Sequence, residues 1–142
     1  RVIAVLAVFV VVVLVVVNGV AMWFGGAVTD SGVSLADTVA AGANLLPVIL
    51  LFGGLAVAMF GIAPRLTIAV PVGGVVVTYV LQIVGPALDL PGWVVGISPF
   101  YHLALVPVAD YAWTQGVVMT GLAVAASALG MVAFNRRDLV GA

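Results

Sequence analysis

The chain is predicted to be an all-α integral membrane protein. Four transmembrane helices are expected, with a short re-entrant or interfacial helical segment on the outer face between the last two. Three observations predict this. First, 65% of the 142 residues are hydrophobic and 6% are charged, whereas a soluble domain carries about 25% charged residues. Second, the apolar residues fall into four long stretches separated by polar or proline-rich breaks. Third, the few charges sort by sign when the chain is threaded back and forth across a membrane.

The first stretch, 2–23, holds 22 residues. At about 1.5 Å per residue it reaches roughly 33 Å, enough for a hydrocarbon core of about 30 Å. It is too long for the hydrophobic core of a cleavable leader. Arg1 is read as the cytoplasmic edge of an internal span, so the chain is expected to be a fragment of a longer protein. The run Val10–Val17 favours a strand in water, but in lipid a lone apolar segment must satisfy its own backbone and becomes a helix. It does not alternate in polarity as a barrel strand does.

A polar turn with Gly25, Gly26, Thr29, Asp30, Ser31 and Gly32 follows. The second span is expected over 38–63, with Asp37 near its positive dipole end and Pro64–Arg65 as its stop. The third is expected over 66–88, with Pro71 in its first turns and Pro86 near its end. The fourth is expected over 113–134, ended by Asn135-Arg136-Arg137-Asp138. The segment 89–112 is too long for a tight turn and too broken for a span. Five of the chain's twelve aromatics lie in or beside it (Trp93, Phe100, Tyr101, Tyr111, Trp113). Pro91, Pro99 and Pro107 each fix φ and remove a donor, so short helices that turn back are expected. Aromatic rings suit a membrane–water interface. The whole chain, 1–142, is therefore read as a single transmembrane domain.

Four spans place Arg1, Arg65, Arg136 and Arg137 on one side. Asp30, Asp37, Asp89 and Asp110 fall on the other, and Asp138 is the exception. The positive-inside rule makes the arginines cytoplasmic anchors and puts the C-terminus in the cytoplasm.

Composition excludes several functions. Four arginines, no lysine and a net charge of −1 do not build a phosphate-binding surface, so no nucleic-acid partner is expected. With one His, no Glu and no Cys, no metal cluster or nucleophile–base pair is visible, and the chain is read as no enzyme. The pairs Gly25–Gly26, Gly53–Gly54 and Gly73–Gly74 lack the residues that follow in phosphate loops. No ionisable group lies mid-span, which argues against proton coupling through this segment.

Uncharged polar residues within the spans are Asn18, Asn44, Thr67, Thr78, Tyr79, Gln82, Thr120 and Ser127. One reading is that they bond to neighbouring helices or to their own backbone. The other is that Asn18, Asn44, Thr78, Tyr79 and Gln82 line a pathway; Thr78 and Gln82, four apart, share a helix face. The pairs Gly54/Ala58, Gly121/Ala125 and Ala126/Gly130 are spaced for close helix approach. His102 is read either as an interfacial residue in a polar pocket or as a pH-sensing or substrate-contacting group.

Three stretches carry a resemblance. Leu46-Pro47 is followed by Gly61-Ile62-Ala63-Pro64-Arg65; Ile97-Ser98-Pro99-Phe100-Tyr101-His102 is followed by Pro107; Phe134-Asn135-Arg136-Arg137-Asp138-Leu139 comes last. Their order resembles the C-terminal end of bacterial ABC-2 type permeases, those described as exporters of polyketide antibiotics or as tetronasin and multidrug transport permeases. The resemblance implies a type V exporter-like half of six spans, of which this chain supplies the third to sixth. It implies that Trp93, Ser98, Pro99, Phe100, Tyr101, His102 and Pro107 belong to an outer gate. It implies an ABC ATPase in two copies holding ATP and magnesium, a second permease half, and no cofactor in this chain itself. The implied function is export of hydrophobic or amphipathic compounds (antibiotics, drugs, lipids) across the bacterial cytoplasmic membrane. A non-transporting structural subunit, or a secondary carrier or channel, is the alternative.

Overall fold

The computed structural model describes residues 2–29, 32–106 and 108–138. Among these the secondary structure is helical: α1 (Val2–Val28), α2 (Leu35–Ala43), α3 (Leu46–Ile62), α4 (Ala69–Ala87), α5 (Gly92–Val95) and α6 (Trp113–Asp138), with 3-10 turns at Pro64–Leu66 and Pro99–His102. Three stretches are long and apolar enough to cross a membrane: Leu35–Ile62, Pro64–Ala87 and Trp113–Arg136. The expected first span falls in α1, whose described apolar part is Val15–Val28.

The chain divides into two compact units, 1–46 with 104–111, and 47–103 with 112–142. In the first, α1 and α2 form an antiparallel hairpin. Gly19 faces Val39 so closely that a β-carbon at Gly19 would lie 3.0 Å from the Val39 Cα, and Gly42 faces Val15. The link between them uses Gly32 at φ 69°, where a side chain would be strained. Helix α2 then starts on a capping box. The Ser34 hydroxyl accepts from the Asp37 N–H at 3.1 Å, and the Asp37 carboxylate accepts from the Ser34 N–H at 3.3 Å. Two orphan donors of the first turn are thereby satisfied.

The expected second span, 38–63, is two helices rather than one. Pro47 has no N–H to donate to the Ala43 carbonyl, and its ring crowds that carbonyl. Helix α2 therefore ends at Ala43, and Leu45 N–H bonds back to Gly42 O at 3.2 Å in a tightened turn. The Asn44 side chain, 7% exposed, donates from Nδ2 to the Ala104 carbonyl at 2.7 Å.

In the second unit α3 and α4 form a hairpin through the 3-10 turn at Pro64–Leu66. Helices α3 and α6 run parallel and meet backbone to backbone. A β-carbon on Gly54 would lie 2.9 Å from the Ala123 Cα, and one on Gly61 would lie 2.8 Å from the Gly130 Cα. Gly130 in turn faces Val57 and Ala58. Gly54, Ala58 and Gly61 on α3 and Ala123 and Gly130 on α6 are all buried. Of the expected small-residue pairs, Gly54/Ala58 and Gly130 are in this seam. Gly121 has nothing near it, because it lies on the opposite face of α6. Phe60 stacks on Phe134 at 5.5 Å beyond the seam. Arg65, just past the end of α3, and Arg136, in the last turns of α6, thus sit at the same end of this unit, and Asp89 sits at the end of α4 opposite them.

Two boundaries differ from expectation. Helix α6 does not stop at Phe134 but continues to Asp138. The segment 135–138 leaves the apolar stretch without a glycine or proline to break the helix, and its arginines suit the negative dipole end. Helix α4 tolerates Pro71 because it stands in the first turn, where an N–H has no intrahelical partner. It closes on a Schellman arrangement: Leu90 N–H bonds to Gly85 O at 3.0 Å and Asp89 N–H to Pro86 O at 3.3 Å. Asp89 takes the left-handed position, at φ 49°, that glycine usually fills.

Candidate functional site

The proline-broken segment after α4 folds as two helical turns, α5 and the 3-10 turn Pro99–His102, and its anchor is Ser98. Pro99 fixes the backbone that starts the 3-10 turn, and Ser98 before it is extended, as a residue preceding proline prefers. The Ser98 side chain is fully buried, and its hydroxyl donates to the Thr78 carbonyl of α4 at 2.9 Å. Val95, 5% exposed, packs over Gly85, where a β-carbon would meet its Cγ2 at 2.8 Å.

Phe100 enters an aromatic cluster. It lies edge-on to Tyr79 of α4 at 5.6 Å and offset from Phe52 of α3 at 6.4 Å. Such pairs contribute about 0.5–1.5 kcal/mol beyond area burial. Phe52 in turn fills the notch at Gly74. Sequence reasoning missed Phe52, and Gly74 was the only signal, a gap in α4 that a neighbouring ring can enter. Trp93 is 75% exposed and Tyr101 is exposed, so the structure does not bring them into this cluster. Tyr101 instead stands edge-on to His102 at 5.5 Å.

His102 Nε2 lies 2.8 Å from the Gly96 carbonyl. A carbonyl only accepts, so Nε2 carries a proton and donates; when the ring is neutral, Nδ1 is the acceptor. Beside it opens a cavity of about 340 Å³. Leu51, Val118, Met119 and Leu122 form its apolar wall, and His102, Thr114 and Gln115 are its polar groups. Among the described residues no charged side chain lines it.

The other candidate residues are dispersed. Thr78 bonds to its own helix at Gly74 O, 2.7 Å, as Thr67, Thr120 and Ser127 do to carbonyls three or four residues back. Gln82 has a buried Oε1 with no hydrogen-bond partner among the described residues. Pro86, four residues on, also leaves the Gln82 backbone carbonyl without its helical donor. Asn18 is exposed on α1 and Asn44 is tied to Ala104. The segment 89–112 is shared between the units, 89–103 in one and 104–111 in the other. Arg1 and Pro107 lie outside the described residues, and Arg137 falls in the last turn of α6. Among the described residues no group of His, Cys, Asp or Glu is placed to hold a metal ion.

Residues 2–135 match the family model described as the C-terminal domain of the multidrug efflux system permease Rv1217c. The chain is similar to the multidrug efflux system permease protein Rv1217c of Mycobacterium tuberculosis (strain ATCC 25618 / H37Rv), at 32% identity over 127 residues. That alignment covers 87% of the chain and 23% of the relative, so the chain spans about a quarter of the relative's length. No solved structure matches. With its apolar helices and this likeness, the chain is a membrane protein.

Proposed function

The chain belongs to the family of C-terminal domains of the multidrug efflux permease Rv1217c, and from that premise we propose that it is the membrane part of an ATP-driven exporter of the ABC-2 type. The observation that carries the reading is the family match over nearly the whole chain, 2–135. In this reading α1 crosses the membrane as a fourth span. The end of the second unit that holds Arg65 and Arg136 faces the cytoplasm, and the Trp93–His102 segment faces outward. The parallel course of α3 and α6 supports that topology, because it puts both arginines at one end. The location is the bacterial cytoplasmic membrane.

The chain's own residues supply a hydrophobic conduit and a gate. The cluster of Phe52, Tyr79 and Phe100 holds the outer segment closed on α3 and α4, with Ser98 as its hydrogen-bonded pin. Energy comes from a separate ATPase, in two copies, that binds ATP and magnesium, and a second permease half completes the pathway. The absence of Asp, Glu, His, Lys or Arg from the middle of α3, α4 and the apolar part of α6 fits a conduit driven from outside the membrane. Its cargo is hydrophobic or amphipathic.

The test is reconstitution. The permease should co-purify with an ATPase whose turnover changes with lipophilic drugs, and transport in vesicles should survive collapse of the proton gradient while ATP is supplied. Transport that stops with the gradient and ignores ATPase inactivation overturns the proposal.

A further inference from the structure

We propose that the cavity beside His102 is a binding site for an uncharged amphipathic molecule whose hydroxyl or phenol donates to the His102 ring. Its volume of about 340 Å³ falls within the range of about 300–1,000 Å³ that holds small organic ligands. The wall and the polar groups divide as such a ligand would need. Leu51, Val118, Met119 and Leu122 offer apolar surface from two helices, and Met119, 5% exposed, is the buried part of that wall. His102, Thr114 and Gln115 stand together as the polar side.

The charge balance narrows the ligand class. Among the described residues no carboxylate and no arginine line the cavity, so a permanently charged group entering it would lose hydration without gaining a counter-ion. The hydrogen-bonding chemistry narrows it further. The Gly96 carbonyl holds the proton of His102 on Nε2, and the edge-on Tyr101 ring braces the imidazole. In the neutral ring Nδ1 is then the acceptor, and a ligand hydroxyl is its matching donor. The Gln115 amide and Thr114 hydroxyl can each donate or accept, so they add affinity without selecting the donor.

The role of this site in transport rests on the permease reading, but the binding does not, and the experiment separates the two. The purified permease in phosphatidylcholine nanodiscs is titrated with 2-naphthol and with 2-methoxynaphthalene, which lacks the donor. Empty nanodiscs give the partition background. Saturable binding of both probes is expected, with 2-naphthol the tighter.

His102→Phe should weaken 2-naphthol by roughly fivefold to tenfold, the loss of one hydrogen bond, and leave 2-methoxynaphthalene within about twofold. Leu122→Trp, at a half-exposed wall position, should abolish saturable binding of both probes by filling the cavity. Met119→Trp is a second filling variant, and each variant is first shown to keep the wild-type elution profile and unfolding midpoint. Absence of saturable binding to the wild type, binding that survives both filling variants, or an equal loss of both probes in His102→Phe overturns the proposal. ATP-driven transport by the same preparation is measured in parallel. Lost binding with intact transport removes only this site, whereas intact binding with no ATP dependence removes the transport reading.

Discussion

Ser98 is tied to Thr78: a hydroxyl with no exposed surface donates 2.9 Å to a backbone carbonyl of α4. This single bond fixes the position from which the 3-10 turn begins and so where Phe100 points. Ser98→Ala should cost about 0.5–1.5 kcal/mol, read as a lowered unfolding midpoint in detergent. Ser98→Val should cost more, because the extra methyl has no room in a site with no free surface. Equal midpoints for wild type and Ser98→Val would show that the site is looser than this packing.

The seam between α3 and α6 makes a paired prediction. In Gly61→Ala the new methyl meets the Gly130 backbone, which cannot move aside as a side chain can. A loss of about 1–3 kcal/mol is expected. Gly121→Ala faces open space and should be neutral or gain about 0.5–1 kcal/mol from helix propensity. Thermal unfolding of the two variants side by side checks the contrast, and the reverse order refutes it.

Asp89 occupies a left-handed position at φ 49°. Asp89→Gly should relieve a cost of the order of 1 kcal/mol and raise the unfolding midpoint. Asp89→Val, β-branched at a positive φ, should lower it.

The aromatic cluster bears on the gate. Phe100 is half-buried, so Phe100→Ala should cost less than the about 3–5 kcal/mol of a fully buried Phe. Assembly is expected to survive while ATP turnover and transport become uncoupled. Trp93→Ala, from a side chain 75% exposed, should change stability by about 0.5 kcal/mol or less. Loss of assembly in Phe100→Ala, or no change in either rate, would mean that the cluster is only a structural cap.

The orientation is tested by single cysteines. One at Ala109 should label with an impermeant reagent from outside, and one at Val140 only from the cytoplasmic side. Labelling of Val140 from outside reverses the topology.

The parts of the fold that the sequence made legible are those where water or the backbone sets the rule. The apolar stretches read directly as helices, Asp37 read as a first-turn carboxylate, and the proline-broken segment read as short turns. The faces of the helices were not legible. A helix that is apolar all round carries no stripe to mark its buried side, because lipid is as apolar as a protein core. Gly54/Ala58 and Gly121/Ala125 therefore look alike in sequence, although only the first pair meets a neighbour. Phe52 is hidden for the same reason, as one apolar residue in a run of them. The break at Pro47 and the persistence of α6 past Phe134 depend on single donors and on the lack of a stop, local details that hydropathy does not record. At the cavity, His102 was visible as the chain's one histidine, but Thr114, Gln115 and Met119 come to it only through the chain's return in α6.

The glycine-to-carbonyl contacts of α3 and α6 also have a mechanical meaning. Ordinary helix pairs slide by swapping rotamers of interlocked side chains, but at Gly54, Gly61 and Gly130 there are no rotamers to swap. The two helices form one stiff strut from the end near Ala123 to the stacked rings of Phe60 and Phe134. Helix α4 packs on this strut differently, through side chains such as Phe52 seated at Gly74.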